Sequence, residues 1–210
     1  MRLPPSLAKL VSEPDSGRKH IVVTPGSYHI SNANVIISTL LGSCVAACLY
    51  DPVRKVMGMN HFLLSVNPGD KTKSFSISTS EAGRYGVHAM ELLINRMLKR
   101  GARRRNLRAK VFGGGNVLQI DTGNSKITNV AECNCAFIKE FLKADGIPLI
   151  AANLGGNFGR VIHFYYGDFS VYVRKIKKIY NQDLVQLDRG VWQETLKEQK
   201  SKKSKPELWL

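Results

Sequence analysis

Residues 38–61 read STLLGSCVAACLYDPVRKVMGMNH, and the way this stretch folds decides the rest of the chain. The apolar run Val45-Ala46-Ala47-Cys48-Leu49-Tyr50 ends in Asp51-Pro52, the pattern of a short strand buried on both faces and closed by a turn. A second apolar run, residues 56–64, follows after a few residues, so the two predict a hairpin whose side chains are neighbours across the ladder. Cys44 stands directly after Gly42-Ser43 at the mouth of the first strand. Counting back from the turn at residues 51–55 sets it roughly opposite His61 on the second.

A thiol beside an imidazole is the minimal kit for cysteine nucleophilic chemistry. A free cysteine with a pKa of about 8.5 is only a few per cent thiolate at neutral pH, and a neighbouring imidazolium lowers that pKa. Nucleophilicity falls with pKa, so the net gain is only a few-fold. More comes from proton transfer by His61 to a leaving group, typically about 10² to 10⁴-fold. Backbone N–H groups at Gly42 and Ser43 are placed to stabilise an oxyanion, because a residue without Cβ lets the chain turn sharply there. A third group should orient His61, and the hydroxyls of Ser38 and Thr39 are the nearest candidates. Spacing alone also fits burial of Cys44 in a core, the commoner fate of a cysteine.

The run TLLGSCVAACLYDPVRKVMGMNHFLL resembles the signature of the CheD family, chemoreceptor glutamine deamidases of bacterial chemotaxis. The likeness continues through RYGVHAMELLINRMLKRGA, AKVFGGGN and IPLIAANLGGNFGRVIHF, covering about residues 21–176. It implies that Cys44 is the nucleophile, that His61 is its base, and that a hydroxyl just upstream of the glycine turn, Ser38 or Thr39, is the third group. The implied reaction hydrolyses a protein glutamine to glutamate and ammonia through a cysteine thioester, with no cofactor. Methyl-accepting chemotaxis receptors are the implied substrates, and some members of the family are controlled by a CheC-type phosphatase. Two positions depart from the family pattern. Cys133-Asn134 stands where an Arg-Asn pair is usual, and Asn153 replaces an acidic residue often found before the Leu-Gly-Gly turn.

Composition bounds the remaining choices. A chain of 210 residues, 43% hydrophobic, can bury one sizeable core. No apolar run approaches the roughly eighteen residues a membrane span needs, and the N-terminus lacks the apolar centre of a signal peptide, so a cytoplasmic protein without membrane insertion is expected. Cys44, Cys48, Cys133 and Cys135 should then be reduced, and their spacing is not that of a zinc site. The formal charge of +15 is concentrated in residues 99–110 and 197–205. Such clusters attract anionic partners, nucleic acid included, and the resemblance implies that the same charge steers the chain to acidic receptor helices. No zinc finger, RNA-recognition signature or aromatic-basic interleaving supports nucleic-acid readout, which leaves a basic nucleic-acid-binding protein as the weaker alternative to a deamidase. A non-catalytic chemotaxis adaptor is the other.

Along the chain, residues 1–17 read as a flexible lead, 18–180 as the deamidase-like domain and 181–210 as a basic tail, disordered by default, ending in Trp209-Leu210. Strands are predicted at residues 20–24, 28–31, 35–39, 109–112, 149–152, 160–166 and 170–176. A capping box, Ser78 to Glu81, opens a helix that lasts until Gly101, and a second helix runs from Asn129 to about Ala144. Residues 65–76 read as an exposed loop, and Gly113-Gly114-Gly115 as a tight turn or a close backbone approach to substrate. His88 and His163 read as packing or surface residues. The sum is an α/β fold: a single layered domain of mixed β-sheets with two main amphipathic helices packed against them.

Overall fold

The computed structural model describes residues 5–12, 17–64, 81–117, 128–176 and 181–203. Strand β3 (Val35–Leu41) is buried along its whole length, and β4 (Val45–Asp51) is buried except at Tyr50. Only Gly42, Ser43 and Cys44 separate them, yet they do not pair. They lie in different sheets, so the chain steps from one sheet to the other at the Gly-Ser turn. The first sheet has the order β1-β3-β8-β9, with β1 (Lys19–Val22), β8 (Arg160–Tyr165) and β9 (Val171–Lys175). The second has the order β2-β5-β4-β6-β7, with β2 (Tyr28–Ser31), β5 (Val56–Asn60), β6 (Arg108–Gly113) and β7 (Leu149–Leu154). Each sheet contains one parallel pair, β1 with β3 and β6 with β7, and is otherwise antiparallel.

Alternation along the strands sorts the side chains into three apolar layers. Val45, Ala47 and Leu49 face α2 (Glu81–Lys99) and α3 (Thr128–Ala144), meeting Met90, Leu93 and Phe137. Cys44, Ala46 and Cys48 point the other way, between the sheets, with Ile37, Leu41, Met59, Ile162 and Phe164. Beyond the first sheet, Leu40 and Val161 are covered by Leu7 and Val11 of α1 (Pro5–Val11) and by Leu184 of α4 (Asn181–Lys203). Each fully buried Leu, Ile or Phe in these layers contributes about 1.5–3 kcal/mol. The result is the expected α/β domain of mixed sheets, with helices on both outer faces.

Two segments differ from the sequence reading. The lead contains α1, whose Leu7 and Val11 are buried. Residues 181–203 of the tail form α4, which buries Leu184, Val185, Leu187 and Val191. The loop at residues 65–76, the capping residues 78–80 and Trp209-Leu210 lie outside the described residues.

The Asp51-Pro52 turn has a structural explanation of its own. Asp51 is fully buried, and its carboxylate accepts hydrogen bonds from the amides of Val53, Arg54 and Arg103 and from the Asn106 side chain. Burial alone would raise its pKa; the hydrogen bonds outweigh that and lower it. The same contacts tie the basic segment after α2 to the hairpin, and Arg104 pairs further with Glu91 and Asp145. Part of the basic cluster is thus bound into the domain.

Candidate active site

The backbone around Cys44 is fixed from below by the glycine run that follows β6. Gly114 N–H donates to the Cys44 carbonyl at 2.7 Å, and Gly115 N–H donates to the Gly42 carbonyl at 2.7 Å. The Asn134 side chain, fully buried on α3, completes the clamp. Its Nδ2 donates to the Ser43 carbonyl at 3.0 Å, and its Oδ1 accepts from Leu64 N–H at 2.8 Å. One amide therefore joins the turn before β4 to the segment just past His61. The glycine triplet packs its backbone against the turn that carries Cys44.

His61 lies on the same face of the hairpin as Cys44. The pairing of Cys48 with Met59 and of Val45 with Phe62 puts Leu63 across from Cys44 and Ala46 across from His61. The two side chains are therefore diagonal neighbours rather than directly opposite. The offset comes from the turn, where Asp51 pairs with Val56 and Lys55 takes a φ of 53° to close the loop.

Thr39 sets the orientation of the imidazole. Its hydroxyl donates to the Val23 carbonyl at 2.6 Å, which spends its one proton. At the 2.8 Å contact with His61 Nδ1 it must then accept, so Nδ1 carries the ring proton and Nε2 is the basic nitrogen. Nε2 is buried without a hydrogen-bond partner among the described residues. Ser38, the other candidate, sits on the opposite face of β3. Its Oγ lies 2.7 Å from His20 Nε2 and 2.7 Å from His163 Nδ1, so it is not the hydroxyl that meets His61. Thr39→Val should remove the hydroxyl that bridges Val23 O and His61 Nδ1 and leave the ring held at that nitrogen by the Val23 carbonyl alone, a cost of about 1 kcal/mol. We expect catalysis to fall about 10- to 100-fold through loss of ring orientation, with substrate KM little changed, which steady-state kinetics and thermal melts would check together.

The last helix closes the site. Asp188 of α4 is buried, and its Oδ2 accepts from Ser43 N–H at 2.9 Å while Oδ1 lies 3.9 Å from the Cys44 sulfur. Gly42 permits this approach, since a Cβ there would stand 2.7 Å from Oδ1. Cys44 is 1% exposed and His61 is 2% exposed. Burial, reinforced by the carboxylate, pushes the Cys44 thiol well above the ordinary cysteine range. Burial pulls His61 down to about 4. The lowered thiol pKa expected from the sequence is absent in this arrangement, which holds a protonated thiol and a neutral imidazole. Sequence reading missed both Asp188 and Asn134.

The His61 shift has a consequence for stability. The unfolded chain takes up a proton near pH 6.5 and the folded chain only near 4, so stability rises with pH across that window. Asp188, raised by burial, acts in the opposite sense above the ordinary carboxylate range. Comparison with His61→Gln isolates the histidine. Between pH 7 and pH 5 the wild type should lose on the order of 1–2 kcal/mol more than the variant in urea denaturation.

Arg160 explains one departure from the family pattern. Fully buried, it donates to the side chain and carbonyl of Asn153 and to the Gly155 carbonyl, and it stacks over Phe158. An amide oxygen thus stands where an acidic residue would supply a carboxylate. The other departure, Cys133-Asn134, keeps the asparagine that clamps the turn. Among the described residues no group of three or more His, Cys, Asp and Glu side chains is placed to hold a metal, and no helix is long and apolar enough to cross a membrane.

A buried thiol just before β4 and an oriented imidazole just after β5, with a backbone amide beside the sulfur, are the kinds of group that cysteine-dependent acyl transfer uses. The family profile described as CheD chemotactic sensory transduction matches residues 68–175, a range that begins after both Cys44 and His61. A Geobacter sulfurreducens protein named "Probable chemoreceptor glutamine deamidase CheD 1" is 47% identical over 92% of this chain and 96% of its own length. A Shewanella oneidensis protein, "Probable chemoreceptor glutamine deamidase CheD 2", is 47% identical over 79% of this chain and 81% of its own. The chain belongs to the CheD family. Among solved structures, a Neisseria meningitidis protein of the DUF152 family aligns with a TM-score of 0.38 at 10% identity, over 67% of this chain and 64% of that one.

Proposed function

We propose that this chain is a chemoreceptor glutamine deamidase, a cytoplasmic protein-glutamine amidohydrolase of bacterial chemotaxis that works with a Cys44–His61 dyad and no cofactor. The observation that carries the reading is the Thr39–His61 contact, which leaves Nε2 as a base on the face that holds Cys44. Neutral His61 takes the proton from the thiol, and the sulfur attacks the glutamine Cδ. The resulting oxyanion is stabilised by the Ser43 N–H. On collapse, ammonia leaves with the proton from His61 and a thioester remains. His61 then draws a proton from water, hydroxide adds to the thioester, and the thiol is released with glutamate as product. Each turnover adds one negative charge to a receptor.

The basic surface suits acidic receptor helices, and a CheC-type phosphatase is a partner this reading admits. The test is incubation with receptor cytoplasmic fragments, followed by mass spectrometry for amide-to-acid conversion. Conversion by the wild type and none by Cys44→Ala is expected. A Cys44→Ala chain with full chemotactic effect in cells would instead favour a non-catalytic adaptor.

A further inference from the structure

The Asp188 carboxylate is held where reaction chemistry would put another one. Its Oδ2 takes the Ser43 N–H, the donor assigned to the oxyanion, and its Oδ1 faces the Cys44 sulfur. Glutamate, the product, carries a carboxylate at that point just before release. Among the described residues no cation pairs with Asp188, whose hydrogen bonds come from Ser43 and from the thiol of Cys44. A buried carboxylate without a counter-charge is costly, so the arrangement works against the hold of the helix as well as for it.

The rest of α4 is anchored by apolar side chains. Leu184 sits against Leu7, Leu40 and Val161 on the outer face of the first sheet, and Val191 joins the inter-sheet cluster that includes Cys44. Past Val191 the fit loosens, and a cavity of about 150 Å³ opens between Glu194 and Thr195 on α4 and Gly26, Leu63 and Tyr85 on the core. An amphipathic helix thus bridges both sheets with one side chain delivered to the nucleophile.

We propose that α4 is a built-in competitor of the substrate, lying in the seat of the glutamine-bearing receptor helix with the Asp188 carboxylate in place of the product's. The inference rests on the deamidase reading. It names the partner the seat takes: a helix showing glutamine where α4 shows Asp188, with apolar residues four and three positions before it and three after, as Leu184, Val185 and Val191 stand on α4. Turnover then requires α4 to leave, and the observed rate is the intrinsic rate scaled by the fraction of chains with the seat open.

The test uses the full chain and two variants, Asp188→Ala at the site and Leu184→Asp at the remote anchor. Cys44 alkylation by iodoacetamide, resolved by peptide mass spectrometry, reports seat opening without any substrate, and the partly buried Cys135 serves as the internal reference. Both variants should label Cys44 about tenfold faster or more, with Cys135 unchanged, and should convert receptor glutamine faster by a similar factor. If Leu184→Asp melts the domain in circular dichroism, Asp188→Ala alone decides. Equal Cys44 labelling in wild type and Asp188→Ala overturns the inference. So does glutamine conversion in Asp188→Ala no faster than in wild type, which leaves the deamidase reading standing. Absence of conversion in every chain removes that reading and the substrate mimicry with it.

Discussion

Cys44→Ala should abolish glutamine conversion, and His61→Ala should lower kcat/KM by about 10³-fold, both with the domain folded. The difference in size follows from the roles. Without the sulfur no thioester forms, and nothing else among the described side chains on the inter-sheet face offers a nucleophile at that position. Without the imidazole the thiol remains, but it must shed its proton to solvent from a setting that disfavours the thiolate, and ammonia must leave unprotonated. General acid–base transfer is typically worth about 10² to 10⁴-fold, and two proton transfers in the cycle depend on the same nitrogen. The fold should tolerate Cys44→Ala at about 1 kcal/mol, the scale of losing one small buried group. Retention of more than a tenth of wild-type conversion in a purified, folded Cys44→Ala chain would sink the assignment.

The second large effect is structural. Gly113→Ala should destabilise the domain by about 3 kcal/mol or more and cut activity well beyond that loss. Gly113 has a φ of 116°, which L side chains rarely adopt, and a Cβ there would lie 2.1 Å from the Cys44 carbonyl oxygen. That obstacle is backbone, so no rotamer change relieves it. Backbone strain of roughly 1–3 kcal/mol adds to overpacking of similar size. The displaced group is the carbonyl of Cys44 itself, which Gly114 N–H now holds. A shift there moves the sulfur relative to Nε2, and misplacement by about 1 Å can cost 10²-fold in rate. Thermal denaturation and single-turnover kinetics would separate the two losses, and an alanine variant of native stability would refute the account.

Much of the fold is legible in the residues themselves. The apolar run at residues 45–50 and its Asp-Pro stop place β4, and helical spacing from Ala82 to Met97 places α2, because both depend on local pattern. Sheet membership is not legible in that way. Residues 35–41 and 45–51 are adjacent apolar runs, and nothing local says that they belong to separate sheets. For the same reason Ser38 and Thr39 are indistinguishable by sequence, since only the pairing of β3 assigns its two faces. The last helix is obscured by its composition. Its stripe of Leu184, Leu187, Val191 and Thr195 has helical spacing, but it includes a carboxylate at residue 188 and is set among lysines and glutamates. The feature that reads as breaking an apolar face is the one that reaches the thiol.

The step of the chain between sheets at Gly42-Ser43 also dictates when the site is completed during synthesis. Strand β3, which carries Thr39, has β1 and β8 for neighbours, and β8 begins at Arg160. A ribosome that has released the first hundred residues has therefore made Cys44, Thr39 and His61 but not the partner strand that fixes one wall between them. Pairings this remote in sequence form late and slowly. On a nascent chain the sulfur should stay open to oxidants until nearly the whole polypeptide has emerged.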